Sequence, residues 1–210
     1  MDLIVIAIER FLAVAVIGYL MGSTPSGVVV GRLFGVDPRQ HGSGKTGATN
    51  ILRTLGPGAA ITVGLLDVLK GAVPVLLARY VLFPHQLWAE TLAGFAALLG
   101  HNYSMFIGFH GGRGVATGGG ATLAMQPLTV LFGAVAMIGT IAASRYVSLG
   151  SIIASAVCAI TDAVLVAMRV DQLPHLVFIA GGAAFVIFSH RDNIARLLNG
   201  TERRLGQKST

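Results

Sequence analysis

Two short glycine-rich segments carry residues suited to holding phosphate. The first, 42–47, reads Gly-Ser-Gly-Lys-Thr-Gly and is followed by Thr49 and Arg53; the second, 111–118, reads Gly-Gly-Arg-Gly-Val-Ala-Thr-Gly. Glycines leave backbone N–H groups accessible to an oxyanion, hydroxyls add hydrogen bonds, and an arginine contacts phosphate with two parallel donors. Together the two segments predict a site for two phosphate groups, and therefore a strongly anionic substrate.

The first segment also fits half of a Walker A loop and the glycine spacing of a dinucleotide-binding turn. Its context argues against both interpretations. A Walker A loop requires glycine where Arg39 stands, and either motif should follow a buried strand rather than an apolar helix and Val36-Asp-Pro-Arg39.

A third polar segment, 189–204, places His190 and Asn193 three residues apart, on one helical face if the preceding apolar segment continues. His101 and His110 are interpreted as packing or interfacial residues. The histidines form no HExxH or Cys/His pattern, so the sequence predicts no metal site.

The elements that must position these segments are membrane helices. Of 210 residues, 54% are hydrophobic and 11% are charged, and the mean hydropathy is +0.75. The apolar residues form blocks near the length of about 20 that a helix needs to cross a bilayer. We therefore expect an all-α polytopic integral membrane protein with one domain over 1–210, in which Cys158 is a core residue.

Six apolar blocks are separated by short loops, and the fourth is long enough to be two short helices that meet at Gln126 and Pro127. The sequence then predicts seven transmembrane helices, some of them short, or six if 115–143 is a single span. The blocks run over 3–22, 58–83, 87–107, 115–143, 148–168 and 173–189.

Charge favours seven spans. With seven, one face carries 11 of the 15 Lys and Arg residues. They lie in the loops that hold Arg32, Arg39, Lys45 and Arg53, in the loops at Arg113 and Arg145, and in the tail from Arg191 to Lys208. Such a face is cytoplasmic by the positive-inside rule, and the N-terminus lies outside. The net charge of +6 therefore reflects orientation, and no nucleic-acid partner is predicted. Asp67 and Lys70, three residues apart inside the second block, are expected to pair.

These segments resemble the PlsY family of bacterial membrane acyltransferases over nearly the whole chain. The similarity lies in their order, their spacing and the overall length. The matching stretches are Gly22-Ser-Thr-Pro25, the run from Gly42 to Arg53, the run from Gly111 to Thr117, the run from His190 to Arg196, and Gly200-Thr-Glu202. Two positions depart from the usual pattern: Arg113 stands where the family has lysine, and Lys45 where it has asparagine. Neither change removes positive charge.

The resemblance implies transfer of a fatty acyl group from acyl-phosphate to the sn-1 hydroxyl of glycerol 3-phosphate, the first step of bacterial phospholipid synthesis. It implies catalytic roles for Ser43, His190 and Asn193, without a cofactor or metal. The implied substrate-binding residues are Lys45, Thr49, Asn50, Arg53, Gly111, Gly112, Arg113, Gly114, Thr117 and Ser148. The implied partners are both substrates, membrane lipid and the soluble enzyme that makes acyl-phosphate, and the implied location is the bacterial inner (plasma) membrane, with the active site and C-terminus cytoplasmic.

Acyl-phosphate is a mixed anhydride, so alignment and charge stabilisation suffice for direct transfer without an acyl-enzyme. The proton acceptor stays open between His190 and the departing phosphate, and His190 is equally a candidate phosphate ligand. The alternative function is an organic-phosphate transporter, which the glycines, Asp67, Lys70 and the basic loops would also serve.

Overall fold

The computed structural model describes residues 2–84 and 86–207, with the side chains of 2–4 excepted, so Lys208 of the predicted basic tail lies outside the described residues. Within this part the chain is helical and has no strands, as expected for an all-α protein. The helices are α1 (Asp2–Ser23), α2 (Ser26–Leu33), α3 (Ala48–Leu55), α4 (Pro57–Leu77), α5 (Leu87–Asn102), α6 (Val115–Met125), α7 (Pro127–Ser144), α8 (Val147–Ala167), α9 (Leu173–Ser189) and α10 (Arg191–Leu198).

Prolines set several of these boundaries, because proline lacks the backbone N–H that a helix interior uses. Pro25 separates α1 from α2, and Pro57 stands in the first turn of α4. Pro127 stands in the first turn of α7, directly after the extended Gln126. The predicted division of residues 115–143 into two helices is therefore confirmed.

The number of membrane crossings stays a prediction. Among the described residues, four helical stretches are long and apolar enough to cross, and α9 with α10, bent by 57°, makes a fifth if the pair is one span. The other two helices of the predicted seven, α5 and α6, have 16 and 11 residues. At 1.5 Å per residue, both are shorter than the roughly 30 Å hydrocarbon core. The four stretches are Val5–Leu33, Pro57–Leu82, Pro127–Ser144 and Val147–Ala167.

The helices pack closely through glycine. A Cβ on Gly22 of α1 would overlap the backbone of Ala97 on α5, and one on Gly120 of α6 would overlap the carbonyl of Val68 on α4. Small residues give membrane helices this close approach. The outward face of α4 instead presents Ile61 and Leu65, both more than 60% exposed, as a surface for lipid.

Candidate active site

One cavity of about 340 Å³ gathers most of the residues that the sequence singled out. It lies between the loop before α3, the start of α6, the start of α8, and α10 with the tail that follows. Ten of the thirteen predicted site residues line it: Ser43, Lys45, Thr49, Asn50, Arg53, Arg113, Gly114, Ser148, His190 and Asn193.

The buried Asn50 side chain holds the first glycine loop through hydrogen bonds to the loop backbone. Its Oδ1 accepts a hydrogen bond from the Ser43 N–H at 2.9 Å, and its Nδ2 donates to the carbonyls of Pro38 (2.8 Å), His41 (3.1 Å) and Lys45 (2.8 Å). The side chain is 2% exposed. Asn50 therefore lines the cavity, but its side-chain oxygen and nitrogen are already hydrogen-bonded to the loop and hold Ser43 and Lys45 in place. The loop needs glycine at position 42, where φ is +63° and the Asn50 amide occupies the space of a Cβ.

Three cations face the cavity without a carboxylate partner. Among the described residues, Lys45, Arg53 and Arg113 make no salt bridge, and the buried Arg113 Nε has no hydrogen-bond partner. Burial lowers the pKa of each of the three groups, and the neighbouring Arg113 charge lowers the pKa of Lys45 further. Burial in the cavity wall thus disfavours these positive charges, and an anion bound beside them relieves this cost.

Helix starts add to this field. Gly47 precedes α3, Gly114 precedes α6 and Tyr146 precedes α8, and the first residues of all three helices line the cavity. Helix N-termini carry partial positive charge and N–H groups without intrahelical partners, both of which favour anions. Gly114, with φ of +82°, provides the turn that aims the start of α6 at the cavity.

His190 presents one defined ring nitrogen to the cavity. Its Nδ1 lies 2.8 Å from the Val186 carbonyl, and a carbonyl can only accept, so Nδ1 carries a hydrogen. The neutral ring then has its lone pair on Nε2. This atom can accept a proton, or donate to phosphate once the ring is charged.

Glu202 joins the elements of the site, although the sequence predicted no role for it. Its carboxylate accepts hydrogen bonds from Ser148 Oγ (2.8 Å), Asn193 Nδ2 (2.7 Å) and Arg196 Nε (2.8 Å). Gly200, with φ of +68°, turns the chain so that Glu202 reaches back. Burial alone would raise the pKa of Glu202, but these hydrogen bonds outweigh it and hold the pKa below its ordinary value of 4.5. The one sequence signal that pointed to Glu202 was its place in Gly200-Thr-Glu202, one of the stretches that match the PlsY family.

Three predicted residues do not line the cavity. Gly111 and Gly112 donate their backbone N–H groups to the carbonyls of Asn102 (3.0 Å) and His101 (3.3 Å) at the end of α5. These N–H groups are therefore already bonded, contrary to the expectation that the loop offers them to phosphate. Thr117 is fully buried between α6 and α4, where its carbonyl lies against Gly71. Arg113 and Gly114 are the part of the loop that faces the cavity.

Asp67 and His101 also line the cavity, although the sequence assigned them to pairing and packing. Asp67 and Lys70 do pair, at 2.8 Å, and both are buried. Their placement was not readable from the sequence, because it depends on α5 ending beside α4.

A second, apolar cavity of about 160 Å³ adjoins the first between α6, α7, α8 and α9. Both cavities share Val115, Gly119, Val130 and Met137 in their walls. Cys158, the single cysteine of the sequence, lines the apolar cavity and not the polar one. A cationic chamber and an apolar cavity therefore lie side by side.

Comparison with known proteins gives consistent matches. The family model described as glycerol-3-phosphate acyltransferase matches residues 12–200. A glycerol-3-phosphate acyltransferase of Trichormus variabilis is 44% identical, with 94% of this chain and 93% of that protein covered. One from Geobacter sulfurreducens is 46% identical, with 92% and 96% covered.

Two solved structures share the fold. The crystal structure of PlsY (YgiH), an integral membrane glycerol 3-phosphate acyltransferase, in its glycerol 3-phosphate form, superimposes with a TM-score of 0.86 at 40% identity, covering 93% of this chain and 96% of that one. Its lysophosphatidic acid form gives a TM-score of 0.84 at 39% identity, covering 93% and 95%.

Proposed function

This chain belongs to the glycerol-3-phosphate acyltransferase family and acylates glycerol 3-phosphate to lysophosphatidic acid; we propose that its donor is an acyl-phosphate and that transfer to the sn-1 hydroxyl is direct. The observation that carries the proposal is that the two cavities adjoin. A chamber lined by three cations that make no salt bridge among the described residues lies beside an apolar cavity, which suits two phosphates and one fatty chain. The transporter alternative gains no support, since the family is one of acyltransferases.

In the proposed reaction the sn-1 oxygen attacks the acyl carbonyl carbon, and the bond from that carbon to the phosphate oxygen breaks. The hydroxyl proton passes to the departing phosphate or to His190 Nε2. Inorganic phosphate is already a good leaving group from a mixed anhydride, so the protein's main contributions are alignment and stabilisation of negative charge. No acyl-enzyme is formed.

We assign the residues by their contacts. Lys45, Arg53, Arg113 and the starts of α3 and α6 hold the two phosphates. Asn50 holds the Ser43 to Lys45 loop, and Glu202 holds Ser148 and Asn193. The Asn193 Oδ1 is buried without a partner among the described residues and can accept a hydrogen bond from a glycerol hydroxyl. The direct contacts of Ser43, Thr49 and Ser148 with substrate belong to the same proposal, and no metal or cofactor is needed.

The proposal places the cavity and the C-terminus at the cytoplasmic face of a bacterial inner membrane, with the N-terminus outside. The basic residues around the cavity support this orientation through the positive-inside rule. The acyl chain would enter from lipid between the helices, and glycerol 3-phosphate from water. A soluble enzyme that makes acyl-phosphate would deliver the donor at this face.

The test uses purified protein in lipid with glycerol 3-phosphate and either acyl-phosphate or acyl-CoA. We expect lysophosphatidate from acyl-phosphate alone. Arg53→Ala and Arg113→Ala should each reduce the rate at least about a hundredfold, as for loss of a charged transition-state contact. Arg169→Ala removes a cation outside the cavity and should leave the rate unchanged. Product from acyl-CoA alone, or full activity in either cavity variant, would refute the proposal.

A further inference from the structure

Asp67, Lys70 and His101 form a buried group at the wall of the active-site cavity, and the proposed reaction does not use it. Their exposures are 2%, 9% and 5%. Asp67 and His101 line the cavity, yet neither belongs to the two glycine loops or to the His190 segment. Burying charged groups is costly, which asks for a reason beyond local pairing.

His101 shapes the loop that carries Arg113. A Cβ on Gly112 would overlap the His101 ring at Nε2, and a Cβ on Gly111 would overlap the His101 carbonyl. The same carbonyl accepts the Gly112 N–H at 3.3 Å. The backbone of Gly111 and Gly112 thus packs directly against His101, and Arg113 is the residue that follows Gly112.

Asp67 faces the ring of His101 at its other nitrogen. The His101 Nδ1 and the Asp67 Oδ1 lie 3.7 Å apart. Asp67 is itself fixed by Lys70, whose Nζ lies 2.8 Å from Oδ1 and donates to the Thr24 carbonyl at 2.8 Å. The imidazole therefore lies between the anchored carboxylate and the glycine loop, and among the described residues its buried Nδ1 makes no hydrogen bond.

Arg113 depends on this support. Within the described residues its guanidinium makes no salt bridge, and its buried Nε has no hydrogen-bond partner. The backbone path of the loop therefore determines where the Arg113 guanidinium, with its planar set of N–H donors, points. A fork that binds phosphate with two parallel hydrogen bonds tolerates little misalignment.

We propose that His101, which lies between the Asp67 charge and the glycine loop, is a positioning residue that aims Arg113 at a substrate phosphate. The inference rests on the proposed function, because it assumes that Arg113 binds phosphate. It assigns the buried ion pair a role in substrate affinity and leaves the bond-making step to the groups in the cavity.

The test compares His101→Ala in two backgrounds, the natural chain and Arg113→Lys. A lysine ammonium is a point charge on a flexible stem and does not need the orientation that a guanidinium needs. We expect His101→Ala to raise the KM for the substrate whose phosphate Arg113 binds, either acyl-phosphate or glycerol 3-phosphate. The increase should be about tenfold with Arg113 present and at most about threefold with Arg113→Lys. The value of kcat should change less than KM.

Three controls separate positioning from loss of structure. His101→Gln keeps a side-chain amide near the position of Nε2 against Gly112 and should restore most of the affinity. His175→Ala removes a histidine buried near the opposite end of the bundle, and its effect should be the same in both backgrounds. Asp67→Asn keeps the side-chain volume and should repeat the background-dependent KM change, so it carries the test if His101→Ala does not fold.

Equal KM changes in both backgrounds, or an unchanged KM in folded His101→Ala and Asp67→Asn proteins, would overturn the inference. The unsubstituted protein, assayed first, tests the proposed function separately: absence of product from acyl-phosphate there would refute that function before any variant is compared.

Discussion

The Glu202 carboxylate accepts a hydrogen bond from the Asn193 Nδ2 at 2.7 Å, which ties the C-terminal tail to the helix that follows His190. The same carboxylate oxygen accepts from Ser148 on α8. Two residues predicted to contact substrate are therefore held by a third that reaches them from the tail.

Glu202→Gln should weaken both the site and the fold. The amide keeps an acceptor oxygen but loses the charge that faces Arg196, and its NH₂ group meets donors. We expect kcat/KM to fall at least about tenfold. Arg203→Gln, a change at an exposed neighbour in the tail, serves as the control and should retain activity.

The same carboxylate gives a signed pH dependence. Its folded pKa is depressed, so its contribution to stability is present above the ordinary value of 4.5 and is lost as the pH falls through the folded pKa. The thermal midpoint of the natural protein should therefore drop below pH 4.5 more steeply than that of Glu202→Gln. Parallel curves for the two proteins would contradict this assignment.

Asn50→Ala should inactivate the enzyme while the membrane helices stay folded. The variant loses four hydrogen bonds that hold the loop from Pro38 to Lys45, so Ser43 and Lys45 lose their positions. We expect at least about a hundredfold lower kcat/KM, consistent with the cost of misplacing binding groups. Thr62→Ala also removes a side-chain hydrogen bond, but to its own helix on the exposed face of α4, and should be near neutral in activity. Normal kinetics in Asn50→Ala would refute a positioning role.

Substitutions of His190 separate a ligand from a base. Asparagine can still donate to the Val186 carbonyl near the position of Nδ1 but has no group at Nε2, whereas glutamine places a donor near Nε2 and is no base. We expect His190→Gln to retain measurable activity with a raised KM for glycerol 3-phosphate, and His190→Asn to lose it. Equal loss in both variants, with unchanged KM, would instead assign proton transfer to this residue.

The buried charged network at the N-terminal end of α5, away from the cavity at its C-terminal end, should affect stability but not catalysis. Glu90 accepts from Arg79 (2.6 Å) and faces the His175 Nε2 (3.1 Å), while the His175 Nδ1 faces Asp171 (2.7 Å). Removing one charge from such a buried network costs about 3 kcal/mol. Glu90→Gln should therefore lower the thermal midpoint and leave both KM values unchanged. A selective change in KM would show that the network reaches the site.

Local signals predicted much of the architecture. The length of the apolar blocks predicted the membrane helices. Pro127 predicted the break that separates α6 from α7, because a proline disrupts helix hydrogen bonding only in its immediate neighbourhood. The two glycine loops were found from residue type and spacing, whereas a role for His190 was implied by the resemblance to the PlsY family. One cavity gathers His190 with Ser43, Lys45, Arg113 and Gly114 of the loops.

Roles that depend on tertiary contacts were not predictable. Asn50 was expected to bind substrate, yet all its polar side-chain atoms bond the loop. Gly111 and Gly112 were expected to offer N–H groups, yet these cap α5. The family resemblance included Glu202 in Gly200-Thr-Glu202 but gave it no role. The contacts of Glu202 with Ser148, and of His101 with the second glycine loop, depend on how the helices pack.

The most direct test of the central claim follows phosphate release from a labelled acyl-phosphate in the reconstituted protein, first without and then with glycerol 3-phosphate. Direct transfer at one cationic cavity predicts no release and no labelled protein before the acceptor is added. After addition, it predicts one phosphate per lysophosphatidate. A burst of phosphate with label on the protein before the acceptor is added would contradict the account.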